Sequence, residues 1–174
     1  MASTEQDGER VRLSELADAD SPTLFTWIND RALVELSSTF KPVDRADHDR
    51  WFATIRTRPD TRIFAIRTTA DDRLIGTCQL LNIDPRAQSA ELQIRIGDPA
   101  ARGRGYGTEA VRMLVAFGFD QLDLRRIALH VLITNVAAQR TYEKVGFVRE
   151  GVMPDAAVVG GQPVDALTMA IARG

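Results

Sequence analysis

Hydrophobic and polar positions along this chain change period several times, and each change marks an element. Residues 11–16 alternate as a short first strand. Ser21-Pro22 then opens a helix, with the serine hydroxyl as its cap and proline in the first turn, and Leu24, Trp27 and Ile28 follow at helical spacing. Asp44 starts a second helix whose apolar face is Trp51, Phe52 and Ile55, and Pro59 closes the region. From Arg62 the period drops to two. Residues 62–68 and 73–81 read as a hairpin around Asp71-Asp72. Residues 89–96 make a further strand, with Leu92, Ile94 and Ile96 on one face and Glu91, Gln93 and Arg95 on the other. Residues 108–122 form a long helix that is apolar nearly all round, hence deeply packed. A strand at 127–133, a short helix at 135–144 and a strand at 147–153 follow, and the turn Gly160-Gly161-Gln162-Pro163 leads into a last strand at 165–172. The pattern predicts an α/β (α+β) fold: a mixed, mostly antiparallel sheet of six to seven strands flanked by about four helices.

Composition narrows the class. A chain of 174 residues with 44% hydrophobic positions fits one domain, expected at residues 10–174 behind a flexible tail at 1–9. A formal net charge of -2 gives no reason to expect a nucleic acid or an anionic membrane as partner. Cys78 is the lone cysteine, which excludes an internal disulfide, and two isolated histidines offer no ligand spacing, so no metal is expected. No stretch approaches the roughly 20 apolar residues that span a bilayer. The polar segment Met1 to Arg10 lacks the apolar run of a secretory signal, and the expectation is a cytoplasmic domain. Lys41 and Lys144 are the only lysines, so the arginine excess is mainly compositional.

The segment Arg102-Gly103-Arg104-Gly105-Tyr106-Gly107-Thr108 joins a strand to the long helix. Alternating glycines let several backbone N–H groups point into one concavity, and a helix N-terminus adds partial positive charge. This is an anion cradle suited to a pyrophosphate. No Gly-Lys-Ser/Thr follows, so it is not a Walker loop. Thr108 stands where a dinucleotide fingerprint has its third glycine.

Arg102, Gly105 and Gly107 resemble the R-x-x-G-x-G/A loop of the GCN5-related N-acetyltransferases (GNAT), and Asn135, Ala138, Tyr142, Lys144, Gly146 and Phe147 resemble that family's N-x-x-A-x-x-x-Y-x-K-x-G-F segment. The resemblance covers about residues 10–172, and its branch is that of ribosomal-protein N-terminal, spermidine and nucleotide-amino-sugar acetyltransferases. It implies the GNAT fold and acetyl-CoA as cosubstrate, without a metal. By resemblance, a bulged strand at Gln93, Ile94, Arg95 and Ile96 meets the acetyl group and the pantetheine arm. The loop Arg102, Gly103, Arg104, Gly105, Tyr106, Gly107 and Thr108 holds the pyrophosphate, and Asn135 with Ala138 borders the pantetheine. Tyr142 falls where the family places the acid that protonates the departing thiolate, and Glu91 where several members place the base. Packing beside Phe147 is the plain alternative for Tyr142. For Glu91 the alternative is a solvated carboxylate or an ion pair with Arg95. His130 is the other candidate base, ranked below Glu91 because a lone strand histidine is more often packed. Cys78 reads as core.

Acceptor contacts are expected from the N-terminal helices, with Asn29 and Arg31 facing the substrate together with Glu91 and His130. His48 and Trp51 are expected to pack the second helix. The implied activity is transfer of acetyl to a primary amine by direct attack, with an amino sugar or aminoglycoside-like acceptor ahead of a polyamine or a protein N-terminus. A non-catalytic acyl-CoA-binding module is the alternative from another class. The family is often dimeric, and a homodimer is carried by that analogy alone.

Overall fold

The computed structural model describes residues 5–174. Its strands are β1 (Gln6–Asp7), β2 (Val11–Ser14), β3 (Arg62–Thr68), β4 (Leu74–Asp84), β5 (Ser89–Ile96), β6 (Arg126–Leu132), β7 (Val148–Val159) and β8 (Gln162–Ala172). Its helices are α1 (Ser21–Ile28), α2 (Arg31–Val34), α3 (Arg45–Ile55), α4 (Tyr106–Gln121) and α5 (Val136–Val145). The strands form one eight-stranded sheet in the order β1-β2-β3-β4-β5-β6-β8-β7, antiparallel except for β5 beside β6.

Strand alternation distributes side chains to the two faces. On β3, Phe64 and Ile66 enter the main core with Val111, Leu114 and Phe117 of α4, and Phe64 meets Phe117 edge to face at 5.1 Å between ring centroids. Ile63 and Ala65, of the opposite parity, join Leu24, Phe52 and Ile55 of α1 and α3 in a smaller cluster. Each fully buried aliphatic or aromatic side chain of this kind contributes about 2 kcal/mol relative to exposure. The α1 layer is also held by charge: the buried Asp20 carboxylate accepts from Arg67 Nη2 at 2.6 and 2.7 Å and from the Ala17 amide at 2.8 Å.

Several expectations need correction. The sheet has eight strands instead of six to seven, because Gln6–Asp7 pair with Leu13 and Arg12. The expected tail therefore does not hold for Gln6–Asp7, while residues 1–4 lie outside the described residues. Among the described residues there are five α-helices, the extra one being the single turn α2, capped where Asp30 accepts from the Leu33 amide at 3.2 Å. Ser21 is the first residue of α1 and not its cap; its hydroxyl meets His48 Nε2 at 3.0 Å. The last hairpin is longer than expected, since β7 runs to Val159 and Gly160-Gly161 alone make the turn. No helix among the described residues is long and apolar enough to cross a membrane.

Candidate active site

Strands β5 and β6 pair only over Ser89–Glu91 with Arg126–Ala128, then part. On its other side β5 stays paired with β4 as far as Ile96 opposite Gly76. Beyond Glu91, the β6-facing backbone groups of β5 thus form an open edge inside the sheet. Unpaired strand groups of this kind are a template for an extended, amide-bearing ligand. The expected bulge at Gln93–Ile96 is absent, because the β4 register there is continuous. Divergence from β6, not a bulge, exposes this backbone.

The same parting joins the two faces of the sheet. A cavity of about 610 Å³ is lined by Glu91, Gln93 and Arg95 from one face of β5, by Leu92 and Ile94 from the other, and by His130 and Tyr142. Trp27, Trp51, Ser37 and Asp47 close it from the α1–α3 layer. Gln79 on β4 donates to Gln93 Oε1 at 2.8 Å across the strand pair, and both face the cavity. The Glu91 carboxylate makes no hydrogen bond or ion pair with another described residue, so the alternative of a pair with Arg95 does not hold. Positions 91 and 95 are four residues apart on one strand face, about 13 Å by strand rise.

Tyr142 sits on α5 with its ring 5.8 Å from that of Phe147, edge to face, and its side chain is 7% exposed. Burial pushes its phenol up to about 12, so the hydroxyl is a proton donor throughout the neutral range. His130, more open, lies with Nδ1 3.3 Å from Thr168 Oγ1. Cys78 borders the cavity but is 1% exposed, and burial raises its thiol far above the ordinary range, which leaves no thiolate for covalent chemistry.

The glycine-rich loop starts where β5 ends. Arg102 Nε donates to Ile96 O at 3.1 Å, which staples the loop to the strand. Gly103 and Gly105 take φ of 71° and 82°, the left-handed region that glycine enters without strain, and Gly105 caps α4. The first α4 amides accordingly open onto the loop as an anion cradle. Arg10 reaches the loop from the start of β2, donating from Nη1 to Arg104 O at 2.7 Å. Burial alone would raise the Glu109 carboxyl, but the Arg10 and Val11 amides and the Arg10 guanidinium hold it below the ordinary value. Arg10 was not legible from the sequence, standing 94 positions from its partner. Trp27, Trp51 and Gln79 were likewise not assigned to the site, since only the packing of α1 and α3 over β4 and β5 brings them there.

Other expected site residues have structural contacts of their own. Asn29 does not face the cavity: its amide accepts from the Val43 N–H at 2.9 Å and donates to Val43 O and Phe25 O, pinning α1 to the following loop. Arg31 pairs with Glu35 at 3.2 Å and lies over the Phe40 ring, away from the cavity lining. Asn135 caps α5 by accepting from the Ala138 amide at 3.2 Å, and its Nδ2 donates to Leu36 O at 3.0 Å, so the Asn135–Ala138 spacing is explained by capping. Tyr106 lies beneath the Arg10 guanidinium. His48 is buried among Phe25, Trp51 and Phe52, whereas Trp51 is 40% exposed and forms cavity wall as well as packing. Among the described residues no cluster of three or more His, Cys, Asp or Glu is arranged to hold a metal.

Comparison with known proteins gives a consistent set of likenesses. Residues 10–148 match the family model described as acetyltransferase (GNAT) domain. The chain is 38% identical to the probable N-acetyltransferase YjcK of Bacillus subtilis over 62% of its length and 60% of that protein's. It is 34% identical to the spermidine N(1)-acetyltransferase of Vibrio cholerae over 59% of its length and 58% of that protein's. The match thus spans about three-fifths of these two curated relatives. Among solved structures, the Vibrio cholerae spermidine N-acetyltransferase in complex with CoA and spermine superimposes with a TM-score of 0.85 at 26% identity, covering 93% of this chain and 95% of that one.

Proposed function

Because the chain belongs to the GNAT acetyltransferase family, we propose that it transfers acetyl from acetyl-CoA to the primary amine of a small molecule, by direct attack in a ternary complex. One observation carries this reading: the open β5 edge, the carboxylate of Glu91 and the neutral phenol of Tyr142 converge on one cavity beside the glycine cradle.

Bound acetyl-CoA supplies an activated acyl thioester. The amides of residues 104–108 hold its pyrophosphate, and the open backbone from Gln93 to Ile96 pairs with its amide-bearing arm. Glu91 takes the proton of the attacking amine as the nitrogen–carbon bond forms. Tyr142 gives its proton to sulfur as the carbon–sulfur bond breaks, and solvent restores both groups. The burial of Cys78 favours this direct route over an acyl-enzyme.

An amino sugar is the favoured acceptor. Trp27 and Trp51 offer apolar ring faces, and Gln79 and Gln93 offer polar groups, a combination suited to a sugar's amphipathic ring. A polyamine is the second reading, favoured by the likeness to spermidine acetyltransferases. The proposed assembly is a homodimer through β7, an edge strand on which Val148, Val152, Met153 and Val158 are exposed.

The test is thiol release from acetyl-CoA across a panel of amino sugars, aminoglycosides, polyamines and peptides. Turnover with at least one amine is expected. Tight acetyl-CoA binding without release from any amine would replace this reading with that of a non-catalytic acyl-CoA-binding module.

A further inference from the structure

Arg95 is an oddly provided cation. Arg67 pairs with Asp20, Arg126 with Glu150 and Arg149 with Glu143, but Arg95 has no carboxylate within ion-pair distance among the described residues. Its one side-chain hydrogen bond among the described residues runs from Nη2 to Ser37 Oγ at 3.4 Å, a long contact to a neutral group. The side chain is nonetheless drawn out of solvent into the wall of the 610 Å³ cavity, and burial lowers its pKa from the ordinary arginine value. Arginine keeps its charge across the physiological range, so an unmatched guanidinium here is a cost that the fold leaves uncompensated. Such a cost persists where a ligand supplies the missing anion.

The rest of the cavity sharpens this. Its acidic groups are Asp47 and Glu91. Asp47 is engaged by Arg50 and by no group of the cavity floor, which leaves Glu91 free at the acyl-transfer end. His48 is held by Ser21, and His130 stands beside Thr168. One unpaired carboxylate and one unpaired guanidinium thus share a strand face, four residues apart. A polycation would meet Arg95 with like charge. A molecule with an amine at one end and an anion at the other would satisfy both ends.

We infer that Arg95 is a specificity-determining residue that binds a carboxylate or phosphate on the acceptor while the acceptor's amine lies at Glu91. The inference rests on the acetyltransferase reading for the position of the amine and narrows its acceptor class to small amines that carry an anion. The guanidinium's bidentate donor fork suits either anion, and the strand spacing places amine and anion several bonds apart, within about 13 Å.

Matched acceptors test it. Glucosamine 6-phosphate is compared with glucosamine, and 6-aminohexanoate with 6-aminohexanamide, so that each pair differs in the anion and the two pairs separate phosphate from carboxylate. Spermidine is run beside them. The expected result is a kcat/KM for the anionic member of at least one pair about tenfold or more above its neutral partner, expressed mainly in KM. In Arg95→Gln that ratio falls to about one, in Arg95→Lys part of it returns, and in Arg95→Glu spermidine gains relative to the anionic acceptors. The ratio within one variant is independent of how well that variant folds. Calorimetric titration of the same pairs into protein saturated with CoA, which has no acetyl group to transfer, reads the anion's effect without turnover. Arg95-dependent binding with no thiol release would preserve this inference and remove the catalytic one. Equal kcat/KM for both members of both pairs, or an anion preference that survives in Arg95→Gln, would overturn it.

Discussion

Trp27 lies flat against the backbone of Gly97, so closely that a Cβ at position 97 would stand 2.1 Å from the indole ring. Gly97 directly follows β5, and Trp27 is a wall of the cavity proposed for the acceptor, so this contact couples the end of the open strand to the α1 layer. The Gly97→Ala substitution forces the indole or the strand end to move. A loss of about 1–3 kcal/mol is expected, measured as a lower denaturation midpoint with an unchanged m-value. Trp27→Ala in the same background removes the clash, so the alanine at 97 should then cost little. Additive losses in the double variant would show that the contact does not couple the two elements.

The Tyr142 phenol gives a second handle. Tyr142→Phe keeps the ring against Phe147, so folding should be little affected, while turnover falls by about 100-fold with acetyl-CoA binding unchanged. Unchanged turnover would remove Tyr142 from the proton transfer. The raised pKa also makes a stability statement. The unfolded phenol titrates near 10.0 and the folded one at about 12, so the folded state holds the proton more tightly. Its stabilising contribution is complete below pH 10 and is lost as pH rises towards 12. Wild type should therefore lose stability relative to Tyr142→Phe across that alkaline window, and the two should run parallel from pH 6 to 9. Parallel curves to pH 12 would mean the phenol is not buried in solution.

Local signals made much of this fold legible. The alternation at Glu91, Gln93 and Arg95, the glycines of the 102–108 loop and the capping of α3 by Asp44 are written in adjacent residues. What was hidden depends on long-range packing. Asn29 was expected at the acceptor with the N-terminal helices, but its amide is consumed by Val43. Asn135 sits in a recognisable motif, yet the structure gives its side chain a capping task that any N-cap asparagine could have. Trp51 and Gln79 share the cavity only because α3 and β4 both border it, and no spacing rule reports that. The separation of β5 from β6 was also invisible, since strand periodicity says which face a residue takes and not when a partner strand leaves.

The exposed edge of β7 leads to a prediction about assembly. An edge strand with Val148, Val152, Met153 and Val158 exposed leaves apolar groups unmet in the monomer, and of those four positions only Val158 has its N–H met outside the sheet among the described residues, by Thr39 Oγ1 at 2.9 Å. Light scattering after size-exclusion chromatography should give twice the chain mass at micromolar concentration. The pair Val152→Lys and Met153→Lys should shift it to the monomer while leaving the circular dichroism spectrum unchanged. A wild-type mass of one chain over the whole concentration range would exclude the dimer.

Glu91 and His130 both line the cavity proposed for acyl transfer, and their surroundings separate their proposed roles. Glu91 carries no side-chain partner among the described residues and stands where the paired part of β5 ends, next to the backbone proposed to receive the acyl arm. His130 stands on β6, across the gap, with Nδ1 3.3 Å from Thr168 Oγ1. A base must reach the attacking amine, and geometry precedes basicity in that choice, so the carboxylate beside the end of the β5–β6 pairing is assigned ahead of the histidine. Glu91→Gln is therefore expected to lower kcat by about 100-fold, while His130→Gln lowers it by about threefold or less. Measuring both with one good acceptor under saturating acetyl-CoA isolates the proton transfer from binding. Chemical rescue sharpens the comparison: added formate should restore part of the rate in Glu91→Ala, because a small carboxylate can enter the space the side chain vacated. A larger loss in His130→Gln than in Glu91→Gln would reverse the assignment and make the histidine the base.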